Sequence, residues 1–415
     1  MIAIPFARLK ISAQQLFMLS ALVVNGGNYL YNLLLGRLLG PEAFADAAIL
    51  VTLLLVLSFA AMTFQLGTAR FIALLSEEKQ PVFLNRIQKW SLRFGLVLGC
   101  IFIVFSSFMQ EVFQTSSQAM FVVFGLSVPL YFVMSINRGI YQGKEQLISL
   151  AKTYQIEMWS RLVLTLLCIL LFKKQPAVGV ALGVSLSLIA AQFPRAKDNA
   201  KSKRVGVLTQ TEQREILQFF VITACYEGTQ ILINNSDILL VKHYFDAYQA
   251  GLYTSLALIG RVVYFVAWMF VMLLLPEVVR KHKAGESTRT ILFKYVSYIS
   301  ILALSIVVAC FLFPNLIVQM MFGEAYVSVS HLLGPYALAT GLFAVANLFT
   351  YYFLSLGKYM PVYLSFIDGF LQIGGIILMH NSLEQVVWVQ IGSMALLLII
   401  QVLYYLKAYK IHKTA

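Results

Sequence analysis

Between Leu217 and Trp268 a long apolar stretch is interrupted by side chains that do not belong in oil: Thr223, Glu227, Gln230, Asn234 and Asp237, then Arg261. At a helical period the first five fall within about 80° of one helix face. Three further runs behave alike: Gln14, Asn25, Asn28 and Asn32; Tyr154, Glu157, Arg161 and Thr165; Ser365, Asp368 and Gln372. An arginine fork presents several fixed donors to phosphate oxygens and stays charged at any cellular pH. That makes Arg261 and Arg161 candidate anion contacts, with Asn28, Asn32, Asn234 and Gln230 as neutral partners for a phosphate or sugar. Glu227, Asp237, Asp368 and Glu157 can balance that charge, bind H+ or Na+, or carry a proton; the sequence does not choose. Glu157 and Arg161 are four apart and can pair on one turn. Arg261 has no acid at that spacing, so its partner comes from another helix or from outside. Glu227 sits at a similar counted depth and is one candidate. The bland alternative for each polar group is helix-to-helix glue, worth about 1 kcal/mol per bond.

The elements holding these residues are membrane-spanning. The chain has 415 residues, 60% hydrophobic and 12% charged, with mean hydropathy +0.80. Soluble domains carry about twice that charge. A span needs about 20 apolar residues, and such runs lie near 12–35, 46–69, 91–110, 117–137, 153–172, 176–193, 216–241, 249–275, 293–313, 331–356, 360–380 and 386–406. The first is read as a retained span and not a cleaved targeting segment. An all-α polytopic membrane protein of twelve transmembrane helices is expected. The polar stretch 194–215 divides it into two six-helix lobes, residues 1–193 and 216–415. Asn28 and Asn234, Arg37 and His243, and Ala45 and Gly251 correspond between the halves, as parallel repeats do in transporters.

The net charge of +13 raises a nucleic-acid reading, which fails once the charges are placed. Most basic residues, from Arg8 and Lys10 through Arg138, the 194–215 stretch and Lys413, fall in alternate loops on one side. Only Arg37, Lys173, Lys174 and Lys242 are assigned to the other. The asymmetry puts both termini in the cytoplasm. Cys100, Cys168, Cys225 and Cys310 stand singly in apolar runs and suggest neither disulfides nor a metal cluster. No phosphate loop of the Walker type is present, no metal-ligand spacing, and no loop large enough for an external catalytic domain. Aromatic residues read mainly as interfacial and packing groups; Tyr29, Tyr31 and Tyr264 are the candidates for stacking on a sugar.

Three segments carry a family resemblance: Gly36-Arg37-Leu38-Leu39-Gly40-Pro41-Glu42, Arg138-Gly139-Ile140-Tyr141-Gln142-Gly143-Lys144, and Met321-Phe322-Gly323-Glu324-Ala325-Tyr326. With the span count and linker position, they resemble the bacterial polysaccharide repeat-unit or O-antigen flippases. These belong to the multidrug/oligosaccharidyl-lipid/polysaccharide exporter superfamily, with the multidrug and toxin extrusion (MATE) transporters and the lipid II flippases. The resemblance implies a MATE-like fold and a non-enzymatic transporter in the bacterial inner membrane. It implies movement of an undecaprenyl-diphosphate-linked oligosaccharide to the periplasmic leaflet by alternating access, in contact with membrane lipids and polysaccharide polymerase machinery. Lipid II flippases carry a cavity arginine on the eighth span, matched by Arg261 in position only. They also carry arginines on the first span, where this chain has Asn25, Asn28 and Asn32, and they have fourteen spans. Arg37 and Gly143 are expected to shape loops. A cation-coupled multidrug exporter is the main rival, although Arg161 and Arg261 suit cationic drugs poorly. A membrane polymerase or ligase would show a larger external loop.

Overall fold

A computed structural model describes residues 13–264 except 195–205, then 267, 270, 274, 277, 278 and 281, and 284–414; the side chains of 13, 14 and 409–414 lie outside it. Arg8, Lys10 and most of the linker's basic residues therefore fall outside the described residues, as does the Gln14 side chain. Every described element is helical, because a bilayer offers no water to satisfy backbone groups left unpaired.

Helix α1 runs Ala13–Leu74, 62 residues. At 1.5 Å per residue this is about three bilayer cores, so it cannot be one span. Gly40 breaks it at φ 72 and ψ 171, with Pro41 next. A proline pushes the residue before it out of the helical region, and glycine adopts the left-handed φ without a Cβ clash. The break falls between the first two predicted spans. Helices α2 (Gln80–Val104), α3 (Ser106–Val112), α4 (Ala119–Gly143), α5 (Leu147–Leu171) and α6 (Pro176–Ala190) follow. After the linker come α7 (Gln210–Tyr244), α8 (Ala247–Gly260), α9 (Arg289–Leu312), α10 (Pro314–Met321), a 3-10 segment (Glu324–Leu332), α11 (Leu333–Ser355), α12 (Met360–Leu378) and α13 (Leu383–Thr414). Nine of the described helices are long and apolar enough to cross a membrane. α1 accounts for two predicted spans and α6 is a shorter apolar helix. α8 occupies the eighth position, most of whose second half lies outside the described residues.

The chain forms two compact units. One takes Met1–Tyr31, Ala61–Ser107 and Ser117–Val221 in their described parts; the other takes Asn32–Ala60, Phe108–Ser116 and Ile222–Ala415. In the first unit α4 packs on the end of α1. A Cβ on Gly139 would lie 2.6 Å from the Gln65 carbonyl oxygen, and one on Gly143 2.5 Å from that of Ala69. Small residues four apart are how membrane helices approach closely. Phe71, Phe83, Ile87, Ile136, Ile140 and Ile216 form the adjoining core.

In the second unit the other two family segments dock together. Arg37 Nε donates to the Met321 carbonyl at 2.8 Å, Arg37 Nη2 reaches that of Met320, and the Tyr326 hydroxyl donates to the Gly36 carbonyl at 2.8 Å. Gly251 in α8 lies against the backbone of Pro41, with no room for a methyl group. Gly251→Ala is therefore expected to destabilise this unit by about 1–3 kcal/mol, because backbone cannot rotate aside as a side chain can. Gly374→Ala in α12, which meets nothing within 4 Å, should be neutral or stabilising by up to about 1 kcal/mol. Thermal midpoints of the two variants in detergent test the contrast.

Candidate functional site

In the first unit the polar residues gather where α4, α5 and the first part of α1 meet. Gly27 accommodates Met158, and this close approach brings the next residue, Asn28, beside α5. Glu157 lies between two arginines. Its Oε1 is 3.3 Å from Arg161 Nη1, the pairing expected from sequence, and its Oε2 is 2.7 Å from Arg138 Nη2. Arg138 was assigned to a basic loop; the structure corrects this, since it is 3% exposed near the end of α4. It also donates to Thr153 Oγ1 and to the Thr153 carbonyl, each at 3.1 Å, and sits 3.9 Å from the Tyr154 ring. Arg138 is thus held by acceptors at Nε and Nη2 and by a π face.

Arg161 is less completely held. Its Nη2 donates to Asn28 Oδ1, its guanidinium is 5.6 Å from the Tyr31 ring, and its buried Nε has no hydrogen-bond partner among the described residues. Two guanidinium groups share one carboxylate here, so among the described residues one positive charge is uncompensated. A buried unmatched donor costs about 1–3 kcal/mol, and an anionic oxygen would relieve both deficits. Asn32 lies one turn further along α1 and is half-buried.

The second unit holds another set. Asp237 of α7 accepts from Arg261 Nη2 at 2.8 Å, from the Tyr336 hydroxyl at 2.8 Å and from the Tyr253 hydroxyl at 3.2 Å. Asp237 is thereby the acid that Arg261 required from another helix. Equal counted depth suggested Glu227, and the lean of side chains explains the difference. In a helix each Cα–Cβ bond tilts toward the N-terminus. α7 and α8 are joined by a tight turn, with Asp246 capping α8 through the Gln249 amide at 2.9 Å. Arg261 therefore leans back toward that turn, while Glu227 leans away from it. Asp237, nearer the turn, leans toward Arg261.

Gln230 and Asn234 bond one another, with Asn234 Nδ2 3.2 Å from Gln230 Oε1, and the Tyr264 hydroxyl adds a 3.1 Å bond to the same oxygen. Arg261 and Asn234 line a cleft of about 20 Å³ with Tyr336, Thr340 and Gln390. That suffices for a water molecule and not for a diphosphate. Glu227 is buried and has no ion pair among the described residues. Asp368 accepts from Ser393 Oγ at 3.0 Å and does not pair with Arg261, while its Oδ1 has no partner among the described residues. Gln372 ties α12 to α7 through the Ile233 carbonyl and Ser236, each at 3.3 Å. No cluster of three or more His, Cys, Asp or Glu side chains among the described residues is arranged to hold a metal.

A buried charge pair went unread in the sequence. Lys242, assigned to an outer loop, is in the last turn of α7 and 1% exposed. Its Nζ is 2.9 Å from Asp46 Oδ1, while Asp46 Oδ2 accepts the Ser116 amide at 2.9 Å. The only sequence signal was a lone acid, Asp46, opening an apolar run.

Against known proteins, the polysaccharide biosynthesis protein family matches residues 34–331. No curated protein matches the sequence. Among solved structures, the chain is similar to an inward-facing multidrug resistance MATE family transporter, at TM-score 0.77 and 14% identity over 94% of this chain and 95% of that one. The lipid II flippase MurJ in an inward closed conformation gives TM-score 0.72 and 15% identity over 95% and 87%. A MOP superfamily transporter from Pyrococcus furiosus gives 0.62 and 14% over 95% and 94%. At these identities the likeness is one of fold.

Proposed function

The chain belongs to the polysaccharide biosynthesis protein family, and from that premise we propose that it flips an undecaprenyl-diphosphate-linked oligosaccharide repeat unit across the bacterial inner membrane by alternating access. It is a multi-pass membrane protein whose fold is shared with transporters and a flippase. The observation that carries the finer reading is the arginine pair on Glu157. Among the described residues it leaves a net positive charge and an unpartnered Arg161 Nε in a buried setting, and phosphate is the anion whose oxygens match that fork. Arg161 is the proposed diphosphate contact, with Asn28 holding its plane. Asn32, Asn234, Gln230 and Arg261 are proposed as further contacts for the diphosphate or sugars. The product is proposed to feed O-antigen or another surface polysaccharide through a polymerase, and the one-sided basic residues support cytoplasmic termini.

Glu227 favours ion coupling. An intramembrane carboxylate without a cation is expensive and marks a proton or ion path, and H+ and Na+ both suit it. The same residue supports the rival reading of a cation-coupled drug exporter.

The test is deletion of the gene and complementation with Arg161→Gln. Deletion should abolish surface glycan and accumulate lipid-linked repeat units. Arg161→Gln should lower export at least tenfold at native abundance, since a hydrogen bond to a charged group is worth about 1.5–3 kcal/mol and Arg138–Glu157 remains a neutral pair. Intact glycan with lost dye efflux in the deletion strain would remove the flippase reading. Normal export by Arg161→Gln would remove the phosphate role of that residue. Arg261 is a poorer probe, because deleting it strands Asp237.

A further inference from the structure

A larger cleft lies in the first unit, away from Arg161, between the N-terminal ends of α2 and α7. It has a volume of about 390 Å³, within the roughly 300–1,000 Å³ range of small-molecule sites. Its polar rim includes Arg86, Gln213 and Arg214, its floor Ile87 and Ile216, and Trp90 forms a wall.

Local sequence fixes this geometry. Thr209 and Glu212 form a reciprocal capping box, with the Glu212 amide 3.2 Å from Thr209 Oγ1 and the Thr209 amide 2.8 Å from Glu212 Oε2. Lys79, just before α2, takes Glu212 Oε1 at 2.7 Å and ties the two helix starts together. Glu212 is thereby committed to Lys79 and to the cap. Arg86 Nη1 donates to Gln213 Oε1 at 3.0 Å, and its guanidinium lies 5.3 Å from the Trp90 ring. Among the described residues, no carboxylate lies within ion-pairing distance of Arg86 or Arg214.

Both walls become mostly apolar away from the arginines: beyond Trp90, Leu92, Phe94 and Leu96 are exposed, with the exposed Arg93 among them, and beyond Arg214, Leu217 and Val221 are exposed. Exposed apolar side chains on a spanning helix face lipid, and tryptophan favours the membrane–water boundary. The cleft thus has two uncompensated guanidinium groups at its wet end and an oily exit on the bilayer side. A free anion needs only the first feature; a molecule with a phosphate head and acyl chains uses both.

We propose that this cleft is a binding site for an anionic glycerophospholipid of the adjacent leaflet. Its phosphodiester is held by Arg86 and Arg214, its head group by Gln213, and its first acyl carbons lie along Trp90 and Leu217. The site does not depend on the flippase reading.

The test is native mass spectrometry of the full chain with equimolar phosphatidylglycerol and phosphatidylethanolamine. One phosphatidylglycerol should be retained preferentially. Arg86→Gln and Arg214→Gln should each reduce that preference about fivefold, the effect of one basic residue at a lipid surface. Lys89→Gln, an equally exposed cation that does not line the cleft, should leave it unchanged, as should millimolar inorganic phosphate. Equal retention of the two lipids, insensitivity to both arginine substitutions, or displacement by inorganic phosphate would each overturn the assignment, the last in favour of a soluble anion. Thermal midpoints matching wild type ensure that loss of binding is not loss of fold.

Discussion

Glu157→Ala is expected to be the most damaging single substitution among the polar residues of the first unit, costing about 3–5 kcal/mol. The carboxylate is the counter-ion for both Arg138 and Arg161. Removing it leaves two guanidinium groups buried side by side, repelling one another, with only neutral acceptors in Thr153 and Asn28. Single-domain stabilities are about 5–15 kcal/mol, so the variant should accumulate poorly and melt early in detergent. Removing one arginine as well should return much of the loss. Glu157→Gln with Arg138→Met leaves one buried cation in place of two and is expected to melt above Glu157→Ala. If Glu157→Ala melted with wild type, the triad would not be holding α4 to α5. A double variant no better than the single would point to shape, not charge.

The second large effect is expected at Lys242. Lys242→Ala strands Asp46, which keeps only the Ser116 amide as a described partner. An unpaired carboxylate at that burial carries a penalty of the same order, about 3–5 kcal/mol. Lys242→Met combined with Asp46→Asn removes both charges with little change in volume. Replacing a buried pair by neutral groups is often neutral or stabilising, so the double variant should recover the wild-type midpoint. A double-mutant cycle on thermal midpoints gives the coupling directly; additive losses would mean that the two side chains act independently. The same logic governs Asp237 and Arg261, where two tyrosine hydroxyls share the carboxylate and soften the loss.

Several interactions here are invisible to counting along the chain. Glu157 and Arg161 were legible because four residues on one helix fix both their spacing and their face. Arg138 was not, because its partner is on the next helix and it ends a span where loop cations are ordinary. Depth alone offered Glu227 as one candidate partner for Arg261. Depth ignores that side chains on antiparallel helices lean in opposite directions, and that lean selected Asp237. Lys242 looked like an outer-loop cation because nothing local predicts that Asp46, nearly two hundred positions earlier, reaches it.

The sequence by itself determined the class of molecule and most of its elements. Hydropathy decides where a helix must cross a bilayer, since an unpaired backbone group has no water to turn to, and Gly40-Pro41 stops a helix by backbone sterics alone. It also narrowed the chemistry, because charged groups in an apolar run are too costly to be incidental. Tertiary structure decided which of those charges cancel. Helix rotation and side-chain lean, with close approaches such as those at Gly27, Gly139 and Gly251, set the distances between polar groups on different helices. Those distances separate a satisfied pair, Asp237 with Arg261, from an arginine left with a donor to offer, Arg161.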